Sequence, residues 1–293
     1  MNRIFIWSLF ILFWGCSQRE FQSIKIKGSD TEVNLALDLA ETFMEKDPDI
    51  SIAVTGGGSG TGIAALLNQK CDIANSSREF RDSEMKLAGK LGINVIPIVF
   101  AIDALAFVVN PSVEVEVLTV EQIAQIFKGD VNNWKEVGGK DTPISLYGRQ
   151  SNSGTFVFVQ QNILKGEYSN KMKQMNGTAQ ILEAIKADPN AIGYLGIGYI
   201  VNEAGDLAEG IKVISVKADE DTTPVNPTDI PSIINGDYVI TRPLYQYTNG
   251  LPKDRTKAFI AYELSPEGQE IVRRNGYFPI TPQYKKENSK YGL

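Results

Sequence analysis

Four turns in this chain place hydroxyl-bearing residues and glycines between the end of a predicted strand and the start of a predicted helix. They are Gly28-Ser29-Asp30-Thr31, Gly56-Gly57-Gly58-Ser59-Gly60-Thr61-Gly62, Ser76-Ser77-Arg78 and Arg149-Gln150-Ser151-Asn152-Ser153-Gly154-Thr155. A helix N-terminus offers unpaired N–H groups and the positive end of the helix dipole, so each turn suits an anion. Glycine lets the backbone approach an oxyanion closely, and serine or threonine adds a short hydroxyl donor. Arg149 adds a guanidinium able to grip an oxyanion at two points. Each turn taken singly has a plainer reading. Ser29 and Ser77 could simply cap helices, Arg78 could be a solvated surface charge, and the glycine run could be a flexible turn. Gly57 and Gly62 stand at P-loop spacing, but Ile63 and Ala64 follow where Lys and Ser/Thr are required. That excludes a Walker-type nucleotide site, and the GxGxxG spacing of a dinucleotide site fails as well.

The elements that must position these turns follow an α/β pattern. Residues 24–27 read as a strand, followed by a helix over about 31–46 in which Val33, Ala36, Leu37, Ala40, Phe43 and Met44 recur at helical spacing. Ser29 and Glu32 fit a capping box at its entry, and Pro48 closes it. The unit repeats with a strand at 50–55 and a helix at 61–69, then a strand at 72–75 and a helix at 82–91. Alternating short strands and helices predict a largely parallel sheet covered on both faces, with ligands at the carboxyl ends of the strands, where the turns lie. Residues 93–110 form a long apolar stretch broken by Asp103, read as two strands leading out of a first domain. Helices are expected at 119–127, entered by a Thr119…Gln122 capping box, and at 178–187. Residues 219–237 read as loop, 238–247 as a strand returning to the first domain, and 253–264 and 266–275 as helices.

Composition narrows the chemistry. The 293 residues carry a formal net charge of −6, with 43% hydrophobic and 22% charged residues. A chain of this length can hold two ordinary domains, and its acidic balance argues against nucleic acid as a partner. Histidine is absent, which removes the commonest general base and the commonest zinc ligand together. The two cysteines, Cys16 and Cys71, provide no disulfide framework. Cys71 reads as a small buried hydrophobe. No metal or cofactor is implied.

The N-terminus reads as an address. Arg3 precedes an apolar run over 4–14, shorter than the roughly 20 residues of a spanning helix, and Gly15 stands before Cys16. These are the parts of a secretory signal peptide. Gly15-Cys16 resembles a bacterial lipobox, in which the cysteine is acylated and becomes the mature N-terminus, although Phe13 and Trp14 depart from the smaller residues usual there. Residues 1–16 are therefore expected to be a lipoprotein signal peptide, with Cys16 the lipidated residue and the exported mature chain anchored by a palmitate-type lipid to the membrane, on its periplasmic or cell-surface side.

In combination these motifs resemble the phosphate-binding proteins of bacterial phosphate ABC importers. The matching pieces are Gly28-Ser29-Asp30-Thr31, Gly58-Ser59-Gly60-Thr61-Gly62, Asp72-Ile73-Ala74-Asn75-Ser76-Ser77-Arg78, Asp103-Ala104 leading into Val108-Val109-Asn110, Ile126-Phe127-Lys128-Gly129, Asn133-Trp134, Arg149…Ser153-Gly154-Thr155 and Ala191-Ile192-Gly193-Tyr194. They follow the family's order over most of the mature chain. The resemblance implies an α/β two-domain periplasmic-binding-protein fold of type II, with crossing hinge strands and the ligand cleft between the domains. Domain I would comprise 24–103 and 240–293, and domain II 104–239. Phosphate contacts would fall on Ser29, Thr31, Ser59, Gly60, Ser77, Arg149, Ser153, Gly154 and Thr155. Many members carry an aspartate where Ser77 stands, accepting the proton that phosphate retains and sulfate lacks. Here Asp30 or Asp103 is expected to take that role, and Arg78 to supply a second guanidinium.

The function implied is capture of inorganic phosphate by closure of a monomeric, exported binding protein, which then docks on an importer permease. Another tetrahedral oxyanion such as sulfate, molybdate or tungstate, or a phosphate-responsive surface lipoprotein, is the alternative. A secreted phosphatase lacks machinery, because no base is placed beside a serine and no acidic cluster marks a metal site.

Overall fold

The computed structural model describes residues 22–202 and 206–293, so Cys16 and the remainder of the expected signal peptide lie outside the described residues. The first half is built from β1 (Gln22–Gly28), α1 (Val33–Lys46), β2 (Ile50–Thr55), α2 (Ser59–Leu67), β3 (Ile73–Ser76) and α3 (Asp82–Leu91). β1 pairs in parallel with both β2 and β3, so all three strands end on one side of the sheet. α1 begins two residues later than its periodicity suggests. Glu32 occupies its N-cap position, and the hydroxyl of Ser29 accepts the Thr31 N–H at 3.2 Å instead of completing a capping box.

β4 (Val95–Val109) is one strand of 15 residues, where two were expected. Asp103 does not interrupt it, because that carboxylate is fully buried and paired with Arg242. The strand changes partner midway. Residues 95–104 pair antiparallel with β11 (Thr241–Asn249), and residues 105–109 pair antiparallel with β8 (Ala191–Gly196). Nearly every side chain of β4 is buried, which accounts for its almost unbroken apolar sequence.

The second half holds β5 (Val117–Thr119), α4 (Val120–Lys128), β6 (Ser145–Arg149), α5 (Gly154–Phe158), β7 (Lys173–Met175), α6 (Thr178–Ala187), β8, β9 (Lys212–Val213), β10 (Ser215–Lys217) and the short α7 (Ile230–Asn235). α4 has the expected capping box: Thr119 Oγ1 accepts the Gln122 N–H at 3.1 Å, and the Gln122 side chain accepts the Thr119 N–H at 2.9 Å. α7 falls inside a stretch read as loop, entered at Asp229 with Pro231 in its first turn. β6 lies parallel to β8 and β7, giving the path β2-β1-β3-β11-β4-β8-β6-β7 across the described sheet. After β11, α8 (Asp254–Glu263), α9 (Pro266–Arg274) and an unanticipated α10 (Pro282–Ser289) pack on the first half.

Each half has its own core. Ile26, Leu35, Leu39, Ile73, Phe100, Phe259 and Val272 fill the first. Phe107, Phe127, Trp134, Ile181, Tyr194 and Ile214 fill the second. The buried Trp134 indole donates to the Asn190 carbonyl at 3.1 Å, so its one polar group is satisfied. Truncating such an aromatic to alanine costs about 3–5 kcal/mol.

Candidate functional site

Three of the four turns leave the ends of β1, β2 and β3, and the parallel pairing brings them together. Ser29 donates its hydroxyl to Ser77 Oγ at 3.1 Å. Ser59 Oγ accepts the Ser77 N–H at 3.1 Å and lies 3.4 Å from Ser77 Oγ. Thr31 Oγ1 reaches Ser77 Oγ at 3.5 Å. All four side chains are buried. Gly28 makes this approach feasible. Its φ is +146°, and a Cβ there would stand 1.9 Å from the Asn75 carbonyl oxygen that the Ser29 N–H binds. α2 starts at Ser59, so Ser59 and Gly60 form its first turn.

The fourth turn joins β6 to α5, which runs on as a wider helical turn over Val159–Leu164. Ser153 caps α5, its hydroxyl accepting the N–H groups of Thr155 at 3.2 Å and Phe156 at 3.5 Å. Arg149 ends β6 and is buried. Its Nη1 donates to Thr178 Oγ1 at 2.7 Å, and its Nη2 donates to the Asn176 carbonyl at 3.0 Å and to Asp30 Oδ2. Tyr194 anchors the strand end by accepting the Arg149 N–H at 3.1 Å.

The turns of the two halves meet. Thr31 Oγ1 and Thr155 Oγ1 lie 2.8 Å apart. The Gly60 N–H donates to the Asn152 carbonyl at 2.9 Å, and the Asn152 amide donates to the Gly57 carbonyl at 2.9 Å. Gly154 is the point of closest approach, where a Cβ would lie 2.3 Å from Ser59 Oγ and 2.5 Å from Ser77 Oγ. Seven of the candidate residues (Ser29, Thr31, Ser59, Ser77, Ser153, Gly154 and Thr155) thus form one cluster, with Arg149 beside it and Gly60 at its edge.

Arg242 on β11 joins the same cluster and carries no signal in the sequence. Its Nη2 donates to Thr155 Oγ1 at 3.0 Å and reaches Thr31 Oγ1 at 3.5 Å, while Nε and Nη2 both bind Asp103 Oδ2, at 3.1 and 2.8 Å. Its guanidinium also stacks on the Phe158 ring, 5.2 Å from the centroid. The second guanidinium at the site is therefore that of Arg242 and not, as expected, that of Arg78. Arg78 donates to both carboxylate oxygens of Glu84 at 2.7 Å and to the Glu79 carbonyl, which directs its charge towards the start of α3. Adjacency to Ser77 places its backbone near the cluster and its charge elsewhere.

Three buried guanidinium nitrogens, Arg149 Nε, Arg242 Nη1 and, on the Glu84-paired Arg78, Nε, have no partner in the protein. Unpaired buried guanidinium N–H groups are costly, and a tetrahedral oxyanion set among the clustered hydroxyls offers the acceptors that Arg149 and Arg242 lack. The two expected proton acceptors differ. Both Asp30 oxygens are committed, Oδ1 to the Gly57 N–H at 2.7 Å and Oδ2 to Arg149. Asp103 keeps Oδ1 without a side-chain partner, and burial pushes its carboxyl above the usual range against the pull of Arg242. A third carboxyl was not foreseen: Glu32 is fully buried, and burial raises it to about 8.

The arrangement can gather hydroxyl and guanidinium donors around one small anion. Among the described residues, no group of three His, Cys, Asp or Glu side chains is placed to hold a metal ion.

A family model described as a PBP superfamily domain matches residues 17–267. The phosphate-binding protein PstS of Bacillus subtilis is 32% identical over 263 residues, 88% of this chain and 81% of the relative. PstS of Borreliella burgdorferi is 29% identical over 92% of this chain and 94% of its own length. Among solved structures, a Clostridium perfringens substrate-binding protein ascribed to a phosphate ABC transporter, crystallised with bound phosphate, superposes with a TM-score of 0.77. That structure is 27% identical and covers 89% of this chain and all of its own.

Proposed function

The chain belongs to the PstS-type phosphate-binding proteins of the PBP superfamily, and from that membership we propose that it captures inorganic phosphate outside the cytoplasm for an ABC importer. Its relatives are binding proteins and not enzymes, and so is this chain. The observation that carries the ligand reading is the convergence of Ser29, Thr31, Ser59 and Ser77 with Ser153, Thr155 and two guanidinium groups, each of which has an unpartnered N–H. Phosphate oxygens match that donor set, with Arg149 and Arg242 supplying charge and the α1, α2 and α5 N-termini supplying oriented dipoles.

Capture works by closure in this reading. The halves act as domains, 24–103 with 240–293 and 104–239, hinging where β4 exchanges partners and where the chain returns into β11. Ligand favours the closed arrangement because contacts from both domains exist only there. Asp103, the aspartate with an unpartnered oxygen, is the acceptor for the proton that distinguishes phosphate from sulfate. Acylation at Cys16 holds a monomeric protein beside its permease. Among the described residues no helix is long and apolar enough to cross a membrane.

Titration calorimetry with phosphate, sulfate and molybdate tests the ligand. One-to-one phosphate binding that survives excess sulfate and collapses in Arg149→Ala is the expected result. A preference for sulfate or molybdate overturns the choice of ligand, and an absence of anion binding overturns the capture reading. Mass spectrometry of the membrane-extracted protein tests the anchor: an N-terminal peptide beginning at acylated Cys16 is expected, and an unmodified Cys16 overturns it.

A further inference from the structure

Glu32 has no role in the scheme above, yet it sits at the centre of the charge that surrounds the site. It occupies the N-cap position of α1, directly after Thr31, and is fully buried. Neither of its carboxyl oxygens has a hydrogen-bond partner in the protein. The Ser29 hydroxyl is the polar side chain that faces the carboxyl, pulling it down against burial, and the same hydroxyl donates to Ser77 Oγ at 3.1 Å. A carboxylate in such a position would be an uncompensated buried charge; a neutral acid is one O–H donor beside a hydroxyl that can accept it.

We infer that Glu32 is a positioning residue for the bound anion, acting as a neutral acid whose O–H donates to Ser29 Oγ and so turns the Ser29 hydrogen towards the ligand. The inference rests on the reading of the cluster as an oxyanion site. When Glu32 ionises, two things change together. Ser29 turns its hydrogen back to the carboxylate, and a negative charge occupies the same helix end that the anion uses. The two guanidinium groups offset that charge only in part, since Arg149 is matched by Asp30, and Arg242, which attracts it, by Asp103.

The charged and titratable groups that interact with Glu32 are Asp103, Arg242 and the phenols of Tyr199 and Tyr277, while Asp30 and Arg149 act on Tyr199 in turn. Burial pushes both phenols upward, so they stay neutral where Glu32 titrates. Burial, the largest influence, raises the carboxyl to about 8; the Ser29 hydroxyl and Arg242 pull it down, and Asp103 pushes it up. Anion binding should then carry a proton into the site wherever the free protein is partly ionised at Glu32, and affinity should fall as pH rises past that point.

Calorimetric titration of phosphate from about pH 6 to about pH 10, in buffers of contrasting ionisation heat, counts the protons taken up. The expected wild-type result is an uptake beyond the protonation of phosphate itself that sets in through about pH 8 and rises to about one proton above it, where affinity falls about tenfold per pH unit. Glu32→Gln keeps a donor towards Ser29, so it should bind phosphate while losing that extra proton and the extra slope. Equal proton counts in a wild type and a Glu32→Gln that both bind phosphate overturn the role of Glu32 and leave the phosphate reading intact. If neither chain binds phosphate, both readings fall. If Glu32→Gln does not fold, the wild type alone decides, and a count no larger than phosphate's own overturns the inference.

Discussion

Thr31 Oγ1 and Thr155 Oγ1 lie 2.8 Å apart although 124 positions separate them, one on the turn after β1 and the other in the first turn of α5. Arg242 Nη2 bridges to both hydroxyls from a third part of the chain. Three distant segments therefore share one small volume, and the energetic value of the contact depends on the halves being together.

Removing one of these hydroxyls should weaken the ligand without unfolding the protein. Thr155→Val keeps the shape and deletes the group facing Thr31 and Arg242. A loss of about 1–3 kcal/mol in phosphate binding is expected, roughly five- to over a hundredfold in Kd. Calorimetry reads the Kd directly, and an unchanged value would place Thr155 outside the site.

Arg242 and Asp103 should behave as a unit. Arg242→Met strands a buried carboxylate that now has two guanidinium bonds, so stability should drop by about 3–5 kcal/mol in urea unfolding. Adding Asp103→Asn should recover most of that stability and none of the phosphate binding. Recovery of both would reduce Arg242 to a structural residue.

Gly154 is a position where an added side chain crowds the hydroxyls of the other half. Gly154→Ala places a methyl carbon 2.3 Å from Ser59 Oγ and 2.5 Å from Ser77 Oγ unless they separate. Phosphate affinity should fall by at least about tenfold, with far-ultraviolet circular dichroism unchanged because α5 itself tolerates alanine. Small-angle scattering in saturating phosphate should report a more extended particle than wild type.

Stability should decline from acid to mildly alkaline pH through two buried acids. Burial raises Glu32 to about 8 and Glu263 well above its ordinary value, whereas both ionise near 4.5 in the unfolded chain. Between those limits the folded protein holds protons that the unfolded chain releases. The stability from each neutral carboxyl is therefore complete below about 4.5 and is lost progressively as pH rises towards the folded value. The slope is at most about 1.4 kcal/mol per pH unit for each group. Glu263→Gln, which keeps an acceptor for the Gln246 amide, should flatten urea-derived stability against pH. An unaltered slope would show that Glu263 is not the group.

Cys71 should be inert while the protein is folded. Burial pushes its thiol up to about 12, so alkylation at mildly alkaline pH should occur only after denaturant is added, as counted by mass spectrometry. Rapid labelling of the native protein would contradict the burial.

Much of this site was legible because its residues announce themselves where strands give way to helices. Helices α3 and α6 begin and end where they were expected, and the turn residues converge because parallel strands end on one side. Arg242 was not legible, for it sits within a β-strand beside Pro243, with no glycine, hydroxyl or helix start to mark it. Only a lone arginine in a strand whose neighbours are largely buried hinted at an internal charge. Arg78 misled for the opposite reason. It is next to Ser77, but Glu84 six positions later competes successfully for its guanidinium. Asp103 was read as a break in the apolar stretch because a charge in a strand needs a partner, and the partner lies 139 residues away. α10 was overlooked although Thr281-Pro282 marks its start, with Thr281 Oγ1 accepting the Tyr284 N–H at 3.5 Å.

The position of β11 has a consequence for when the protein can finish folding. Residues 241–249 slot between β3 and β4, pairing with both. Until they have been synthesised, each of those earlier strands presents a raw edge with unpaired N–H and C=O groups. The second half suffers no such wait, since residues 105–109, β6, β7 and β8 lie in one uninterrupted stretch of chain. The part begun first is thus completed last. A chain stopped short of Thr241 would carry a finished second half tied to a sticky, half-built sheet, the kind of exposed edge on which chains aggregate.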